Sequence, residues 1–365
     1  MLSSLIAPAI AFAATVIAIT FLKPVAEALG LTDKPAERKQ HTGEIPLIGG
    51  ISIFSGASFA IVTGVFFKLI PQPLMNFAPW FCASLLIVLV GVIDDKYELS
   101  PMVRFGAQIG AALIMVYWGG AILYDLGWIS PNGYLVSLSW LAAPFTVFCA
   151  VGIINAINMT DGLDGLSGNL TLITLLAFGV AGGLADATRD MDMINIISAA
   201  IAGFLIFNQR LHWRSKASVF LGDAGSMMLG LFLVWGAIDI SQGGENRALT
   251  PAATLWFLMV PTFDTLRVMI RRVVRGRSPF AADACHLHHL FIRSGWNVSE
   301  TIAIICLLAA LGVAIGLTGH GFDVSQLGMT IAYVLAGTAY YFAVESAWRR
   351  KRFLGREIYD SRAGD

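Results

Sequence analysis

Four short stretches carry side chains that could do chemistry. The first is Ile93-Asp94-Asp95, where two adjacent carboxylates close an apolar run at the level where lipid meets water. Desolvation and mutual repulsion oppose such a pair, so it needs a cation, a basic neighbour or water. Its plainer role would be to cap the helix expected from Ser100-Pro101 onward. The second stretch sets Asn155, Asn158, Asp161 and Asp164 at intervals of three, one slowly drifting stripe on a helical continuation. Gly162 and Gly165 follow the two aspartates, breaking the helix and letting backbone approach a ligand closely. Turn formation explains one Asp-Gly step. It does not explain two of them beside two asparagines in an apolar run, whereas oxygen donors on a broken helix end suit a hard divalent cation or a ribose and base.

The third stretch, Phe220-Leu221-Gly222-Asp223-Ala224-Gly225-Ser226, sets one aspartate where a new apolar run begins. A helix N-terminus there aims N–H groups at an anion, while Asp223 holds the anion's metal. The fourth, His286-Leu287-His288-His289, follows the basic stretch Arg271, Arg272, Arg275 and Arg277. Zinc is the rival ligand for these histidines, but their spacing is not a usual zinc pattern and the one nearby thiol is Cys285. Imidazoles beside arginines suit a diphosphate better, since arginine donates to phosphate in pairs. The arginines alone could serve only topology and anionic lipid. Taken together, the four stretches read as a Mg2+-dependent phosphate site, because Mg2+ takes one or two carboxyl or amide oxygens plus phosphate oxygens.

The elements that must hold these stretches are membrane helices. AVILMFWYC make up 56% of the 365 residues before the 37 glycines are counted, and only 13% are charged. Soluble domains hold about 45–50% apolar residues with glycine included, and a soluble chain of this size could not hide the excess from water. The 24 basic and 24 acidic residues cancel, which excludes a basic nucleic-acid binder, and the composition excludes a disordered chain. Four scattered cysteines give no disulfide framework. About 20 apolar residues cross the bilayer, and such runs fall at 3–22, 46–68, 79–93, 102–122, 135–157, 168–184, 193–208, 222–240, 252–270, 301–317 and 327–347. The first has no basic flank before it and no small-residue cleavage site, so it reads as a retained span. The expected fold is therefore an all-α polytopic membrane protein of about 11 transmembrane helices. Residues 1–347 form a single catalytic membrane domain, and residues 348–365 form a basic tail.

An odd number of spans divides the loops into two sets. One set holds 21 of the 24 Lys and Arg residues and leaves Lys68, Arg189 and Arg247 to the other. The positive-inside rule then puts the rich set in the cytoplasm, with the N-terminus outside and the C-terminus cytoplasmic. All four chemical stretches fall on the cytoplasmic loops.

In this order and on one face, the four stretches resemble the polyprenyl-phosphate N-acetylhexosamine-1-phosphate transferase family. The resemblance runs from Lys34-Pro35 and Ile45-Pro46-Leu47-Ile48-Gly49-Gly50 through His289. The Arg38-Lys39-Gln40-His41 loop, the His-Leu-His-His form of the histidine motif and the basic tail look most like the bacterial branch acting on undecaprenyl phosphate and UDP-GlcNAc. The branch that transfers phospho-MurNAc-pentapeptide carries a three-histidine run instead. The resemblance implies transfer of GlcNAc-1-phosphate from UDP-GlcNAc to undecaprenyl phosphate, giving undecaprenyl-diphosphate-GlcNAc and UMP. That would be an initiating step of a cell-envelope polysaccharide at the bacterial inner membrane.

By the same resemblance, Asp223 and Asn158 coordinate Mg2+, with Mn2+ as a substitute, on the diphosphate. Asp94 and Asp95 handle the lipid phosphate, while Asp161, Asp164, Asn155, Asn208 and Phe220 serve the nucleoside side. Arg272, His286, His288 and His289 meet the sugar diphosphate, and Lys39 and His41 contact substrate. The expected partners are those two substrates and membrane lipid, with no nucleic acid, and a homodimer is compatible with the pattern. Glu98 departs from the family, which often has Asp there in a DDxxD pattern. Another UDP-N-acetylhexosamine or phospho-MurNAc-pentapeptide is the nearest alternative donor. A transporter is the distant alternative, opposed by the lack of a repeat and by polar groups gathered at one face.

Overall fold

A computed structural model of the chain describes residues 3–33, 43–185, 191–210, 214–242, 247–279 and 285–362, with side chains from residue 5 to residue 351. Its elements are α1 (Ser3–Leu29), β1 (Thr32–Asp33), β2 (Ile45–Pro46), α2 (Gly49–Phe66), α3 (Ala78–Tyr97), α4 (Pro101–Tyr117), α5 (Ala142–Thr160), α6 (Leu166–Leu184), α7 (Met191–Asn208), α8 (Gly222–Ser241), α9 (Pro251–Phe257), α10 (Met259–Val274), α11 (Leu287–Arg293), α12 (Val298–Gly321) and α13 (Gln326–Arg362). The protein is an all-α polytopic membrane protein. Among the described residues the one small sheet is the antiparallel β1–β2 pair.

Among the described residues, nine helices are long and apolar enough to cross a membrane, and α9 with α10 makes a tenth if that pair is one span. The sequence expectation of eleven differs for two physical reasons. The run at 252–270 breaks at Leu258, where α9 and α10 meet at 78°. The run at 102–122 yields α4, whose 17 residues reach about 25 Å at 1.5 Å per residue, short of the ~30 Å hydrocarbon core.

The centre of the bundle is α8, in which every residue but Asp223 and Asp239 is buried. A helix that is apolar all round belongs in such a position, and α3, α5, α6 and α2 pack around it. Small residues bring the backbones close. A Cβ on Gly91 of α3 would stand 2.2 Å from the Ala224 Cα, the close approach that glycine permits between membrane helices. A smaller apolar cluster is built from Leu287, Leu290, Ile302, Ile305, Val344 and Trp348, which join α11, α12 and α13.

Candidate active site

The C-terminal ends of α3, α5 and α7 meet the N-terminal ends of α2, α6 and α8 at one end of the bundle, around a cavity of about 930 Å3. Chain direction alternates between neighbours there, so loops far apart in sequence converge. The cavity is lined by Asp94, Asp95, Asn158, Asp161, Asp164, Asn208, Phe220, Asp223, His288 and His289, ten of the residues singled out from the sequence. Asn155, Arg272 and His286 do not line it, and Lys39 and His41 lie outside the described residues.

The two adjacent aspartates have separate partners. Asp95 Oδ1 accepts from the Asp223 N–H at 2.8 Å and its Oδ2 from the Ala224 N–H at 3.4 Å, so this carboxylate caps α8. The cap the sequence suggested is real but belongs to a different helix. Asp94, 4% exposed, accepts from the Leu99 N–H at 2.7 Å and faces Arg104 Nη1 at 3.2 Å. Glu98 in the left-handed region (φ 49°) turns the chain between α3 and α4 and brings Arg104 back over the aspartates.

Asp223 Oδ2 lies 3.5 Å from the same Arg104 Nη1, and its Oδ1 accepts from Asn158 Nδ2 at 2.7 Å. Asn158 also donates to Ser226 Oγ at 2.8 Å. With its nitrogen so engaged, the Asn158 amide oxygen is the atom left to meet a cation. One guanidinium nitrogen thus serves two carboxylates, which marks a position where positive charge is stabilised. Two carboxylates and an amide oxygen are the hard donors that suit Mg2+ when phosphate oxygens complete the shell, so the residues present fit that ion.

The Asn155-to-Asp164 stripe divides. Helix α5 ends at Thr160, so the two asparagines lie on the helix and the two aspartates in the turn after it. Asn155 is tied to Gln108 at 2.6 Å and to the Val151 carbonyl at 2.8 Å, one turn deeper than Asn158. Asp161 accepts from Ser167 Oγ at 2.5 Å. Burial, chiefly, and then the nearby Asp223 and Asp164 push its carboxyl up to about 7. Asp164 accepts from Arg210 Nε at 2.8 Å and from the Ala217 N–H at 3.1 Å. Asn208 ties this turn to the strip before α8, accepting from the Gly165 N–H at 2.7 Å and donating to the Val219 carbonyl at 2.9 Å. Gly165 sits at φ +89°, which a side chain would resist.

The opposite wall is α11. The His288 ring packs on Gly162, where an added Cβ would meet Nε2 at 2.3 Å, and Nε2 is buried with no hydrogen-bond partner. Burial first, and then the neighbouring His289 and His286, hold the His288 imidazole down at about 3, so it is neutral at pH 7. His289 lies beside it, ring centroids 4.1 Å apart. His286 points Nδ1 at Asp264 Oδ2, 2.8 Å away, and the buried Arg272 donates to the Pro279 carbonyl.

Sequence reasoning had not singled out Arg104, Arg210, Gln108 and Asp264 for the site. Arg104 was detectable, since a tight turn after Asp94-Asp95 must carry the first turn of α4 back over them.

Two comparisons bear on this arrangement. The family described as Glycosyl transferase family 4 matches residues 77–241, from the start of α3 to the end of α8. An undecaprenyl-phosphate alpha-N-acetylglucosaminyl 1-phosphate transferase of Escherichia coli (strain K12) is 33% identical over 354 residues, covering 94% of this chain and 92% of its own length. A protein of the same name from Yersinia pestis is 34% identical over 347 residues, covering 92% and 89%. That of Haemophilus influenzae is 31% identical over 351 residues, covering 95% and 96%. Because relatives 31–34% identical cover 92–95% of its length, the chain belongs to glycosyl transferase family 4 and is a multi-pass membrane transferase.

Proposed function

We propose that this transferase moves GlcNAc-1-phosphate from UDP-GlcNAc to undecaprenyl phosphate, releasing UMP, at the cytoplasmic face of a bacterial inner membrane. The observation that carries the reading is the cavity at one end of the bundle, where Asp94 and Asp223 share Arg104 and face the histidines of α11. A phosphosugar passing from a soluble nucleotide to a lipid needs a site that both can reach. Similarity over 92–94% of the chain, at 33–34% identity, to transferases named for this lipid and sugar supports the same substrates. The product would begin a cell-envelope polysaccharide such as O antigen or enterobacterial common antigen.

The reaction forms a bond from a phosphate oxygen of the lipid to the β-phosphorus of the donor. The bond from that phosphorus to the bridging oxygen breaks, and the oxygen leaves with UMP. A phosphate monoester has a second pKa near 6, so at pH 7 the lipid is mostly a dianion and no strong base is required. Asp94, beside Arg104, positions the nucleophile, and the lipid dianion attacks directly rather than through a covalent aspartyl intermediate. Asp161 and Asp164 hold the turn against the uridine side, and Asn208 fixes that turn. His288, neutral and lacking an internal partner at Nε2, donates to or accepts from the sugar diphosphate. Arg272 braces the basic end of α10 from behind.

Seven carboxyl groups line the cavity: Asp33, Asp94, Asp95, Glu98, Asp161, Asp164 and Asp223. Two anionic substrates will not gather there without added positive charge. Asp223, Asn158 and Asp94 would hold Mg2+, which when bound neutralises charge on the diphosphate. The 21-to-3 division of basic residues supports the cytoplasmic orientation.

The test is UMP release by purified protein with undecaprenyl phosphate and a panel of UDP-sugars. Turnover with UDP-GlcNAc well above that with UDP-GalNAc or UDP-MurNAc-pentapeptide is expected. Preference for another donor would reassign the sugar, and no turnover with any donor would overturn the reading.

A further inference from the structure

Behind the histidine wall lies a buried polar cluster that the reaction above does not use. Asp264, 3% exposed, sits on the buried face of the amphipathic α10 and receives four donors. Its Oδ2 meets His286 Nδ1 at 2.8 Å. Its Oδ1 accepts from the Leu287 N–H at 3.0 Å, the Tyr340 hydroxyl at 3.0 Å and Arg267 Nη2 at 3.3 Å. Arg267, 1% exposed, donates onward to Glu345 Oε1 at 3.1 Å and to the Cys285 carbonyl. One carboxylate therefore fastens three elements, α10, α11 and α13, at the residue where the histidine loop enters its helix.

A carboxylate in this setting can only accept, so His286 carries its hydrogen on Nδ1. His286 is thereby committed to the interior. The next histidine in the motif is not: the His288 ring lies parallel to that of His286, 6° apart in plane with centroids at 5.8 Å, and its buried Nε2 reaches the cavity wall without a partner. Burying the charge of Asp264 and Arg267 is expensive unless donors and acceptors are satisfied; Arg267 Nε has no partner, and the bonds to His286, the Leu287 N–H and the Cys285 carbonyl converge on the start of α11. Mere packing would not require a carboxylate at that point, since apolar residues of similar size serve interiors at least as well.

We propose that Asp264 is a positioning residue of the transfer reaction, which with Tyr340 and Arg267 fixes His286 in its Nδ1–H form and through it holds His288 at the cavity wall. The inference rests on the proposed reaction for its kinetic readout. The last membrane helix thereby becomes part of the site, although none of its residues lines the cavity. Asp264 and Tyr340 touch no substrate; they act through His286 and the first amide of α11.

The experiment uses the full-length protein in one detergent, with Tm recorded for each variant. His286→Ala and His286→Gln remove the donor from the Nδ1 position, and His286→Asn keeps one there. Misplacing a contact by about 1 Å can cost about 10²-fold in rate. The first two should therefore lose about 10²-fold in kcat with KM for undecaprenyl phosphate within about threefold, and His286→Asn should recover at least about tenfold of that loss. Asp264→Asn should resemble His286→Gln. His286→Ala combined with His288→Ala should be no slower than His288→Ala alone, the non-additivity expected when one residue acts through the other. His286→Asn as slow as His286→Ala at equal Tm, or a double variant whose losses multiply, would overturn the proposal.

Nitrogen-15 histidine NMR of the same protein decides the matter without substrate. A His286 proton on Nδ1, and a His288 signal that shifts in His286→Gln but not in His286→Asn, are expected. A proton on Nε2 of His286, or an unmoved His288, would overturn it. If wild-type protein releases no UMP from UDP-GlcNAc, the proposed reaction fails and the NMR result alone decides the positioning.

Discussion

The carboxylate of Asp95 holds the backbone of Asp223: Oδ1 accepts from that residue's own N–H at 2.8 Å, across 128 positions of sequence. One acidic side chain thus aims another. The neighbouring Asp94 makes no such bond and instead shares Arg104 with the Asp223 carboxylate. Two consecutive aspartates that both line the cavity accordingly do different work, one orienting a helix start and one sharing a guanidinium with Asp223.

Gly222 stands between these two carboxylates at φ +73°, and a Cβ there would lie 2.4 Å from Asp95 Oδ2. Gly222→Ala therefore forces an unfavourable backbone, worth about 1 kcal/mol, and pushes the cap away. A lower Tm and a loss of about 10²-fold in turnover are expected. Wild-type kinetics in this variant would show that the cap does not set the position of Asp223.

Asp223→Asn keeps the size of the side chain but removes a charge from the proposed cation site. Turnover should fall by about 10²-fold or more at saturating Mg2+, with insertion and Tm little changed. A titration of Mg2+ against initial rate checks this. An unshifted midpoint with near-normal maximal rate would remove Asp223 from the ligand set.

Arg104 supplies the internal positive charge between Asp94 and Asp223. Arg104→Ala leaves those carboxylates facing each other without it, so the variant should lose Tm in EDTA and regain more than the wild type does when millimolar Mg2+ is added, as linkage requires of an ion that binds the folded state. Differential scanning fluorimetry at several Mg2+ concentrations reads the difference. Equal gains in both proteins would place the cation elsewhere.

His288 makes stability depend on acidity in a stated direction. Its folded-state value lies at about 3, below the ordinary 6.5, so below pH 6.5 the unfolded chain takes up a proton that the folded chain refuses. The contribution is whole above about pH 6.5 and shrinks as pH falls toward 3, by about 1.4 kcal/mol at pH 5.5. Tm should drop between pH 7 and 5.5, and less steeply in His288→Asn. Identical slopes would contradict the assignment.

Orientation is checked by labelling. With Cys82, Cys149, Cys285 and Cys306 replaced, single cysteines at the exposed Lys96, Lys216 and Arg277 should resist a membrane-impermeant thiol reagent in intact cells and react after permeabilisation. A cysteine at the exposed Asn132, between α4 and α5, should react in both. The reverse pattern would invert the molecule.

Local chemistry was legible in the sequence, and partnership was not. The Gly-flanked Asp223 and the Asp-Gly steps at Asp161 and Asp164 identify themselves, because glycine beside an acidic residue in an apolar chain has few structural uses. The bond from Asp95 to Asp223 could not be read, since register between α3 and α8 is set by small-residue contacts such as Gly91 on Ala224. Asn155 looked like one more member of a stripe, yet Gln108, 47 positions away, claims it. Asp264 lay unremarked inside a run read as a plain span. Its signal was the Arg267 one turn on, an ion pair where hydrocarbon would otherwise forbid charge. The break at Leu258 that carries both residues out of a straight span has its signal in Pro261, which lacks the N–H and clashes with the carbonyl four residues back, at Phe257.

The apolar cluster under α11, α12 and α13 is separate from the large core around α8, and it includes Leu166 and Leu170 of α6, just after the turn of Asp161 and Asp164. The histidine wall and the turn of Asp161 and Asp164 therefore share one small foundation while Asp223 stands on the large one, and a small core opens at lower free energy than a large one. Warming or harsh detergent should release the histidines and that turn first, while Asp223 stays seated on the central helix. Loss of turnover during purification then gauges the small core rather than the bundle, and a preparation can be dead while its circular dichroism is intact.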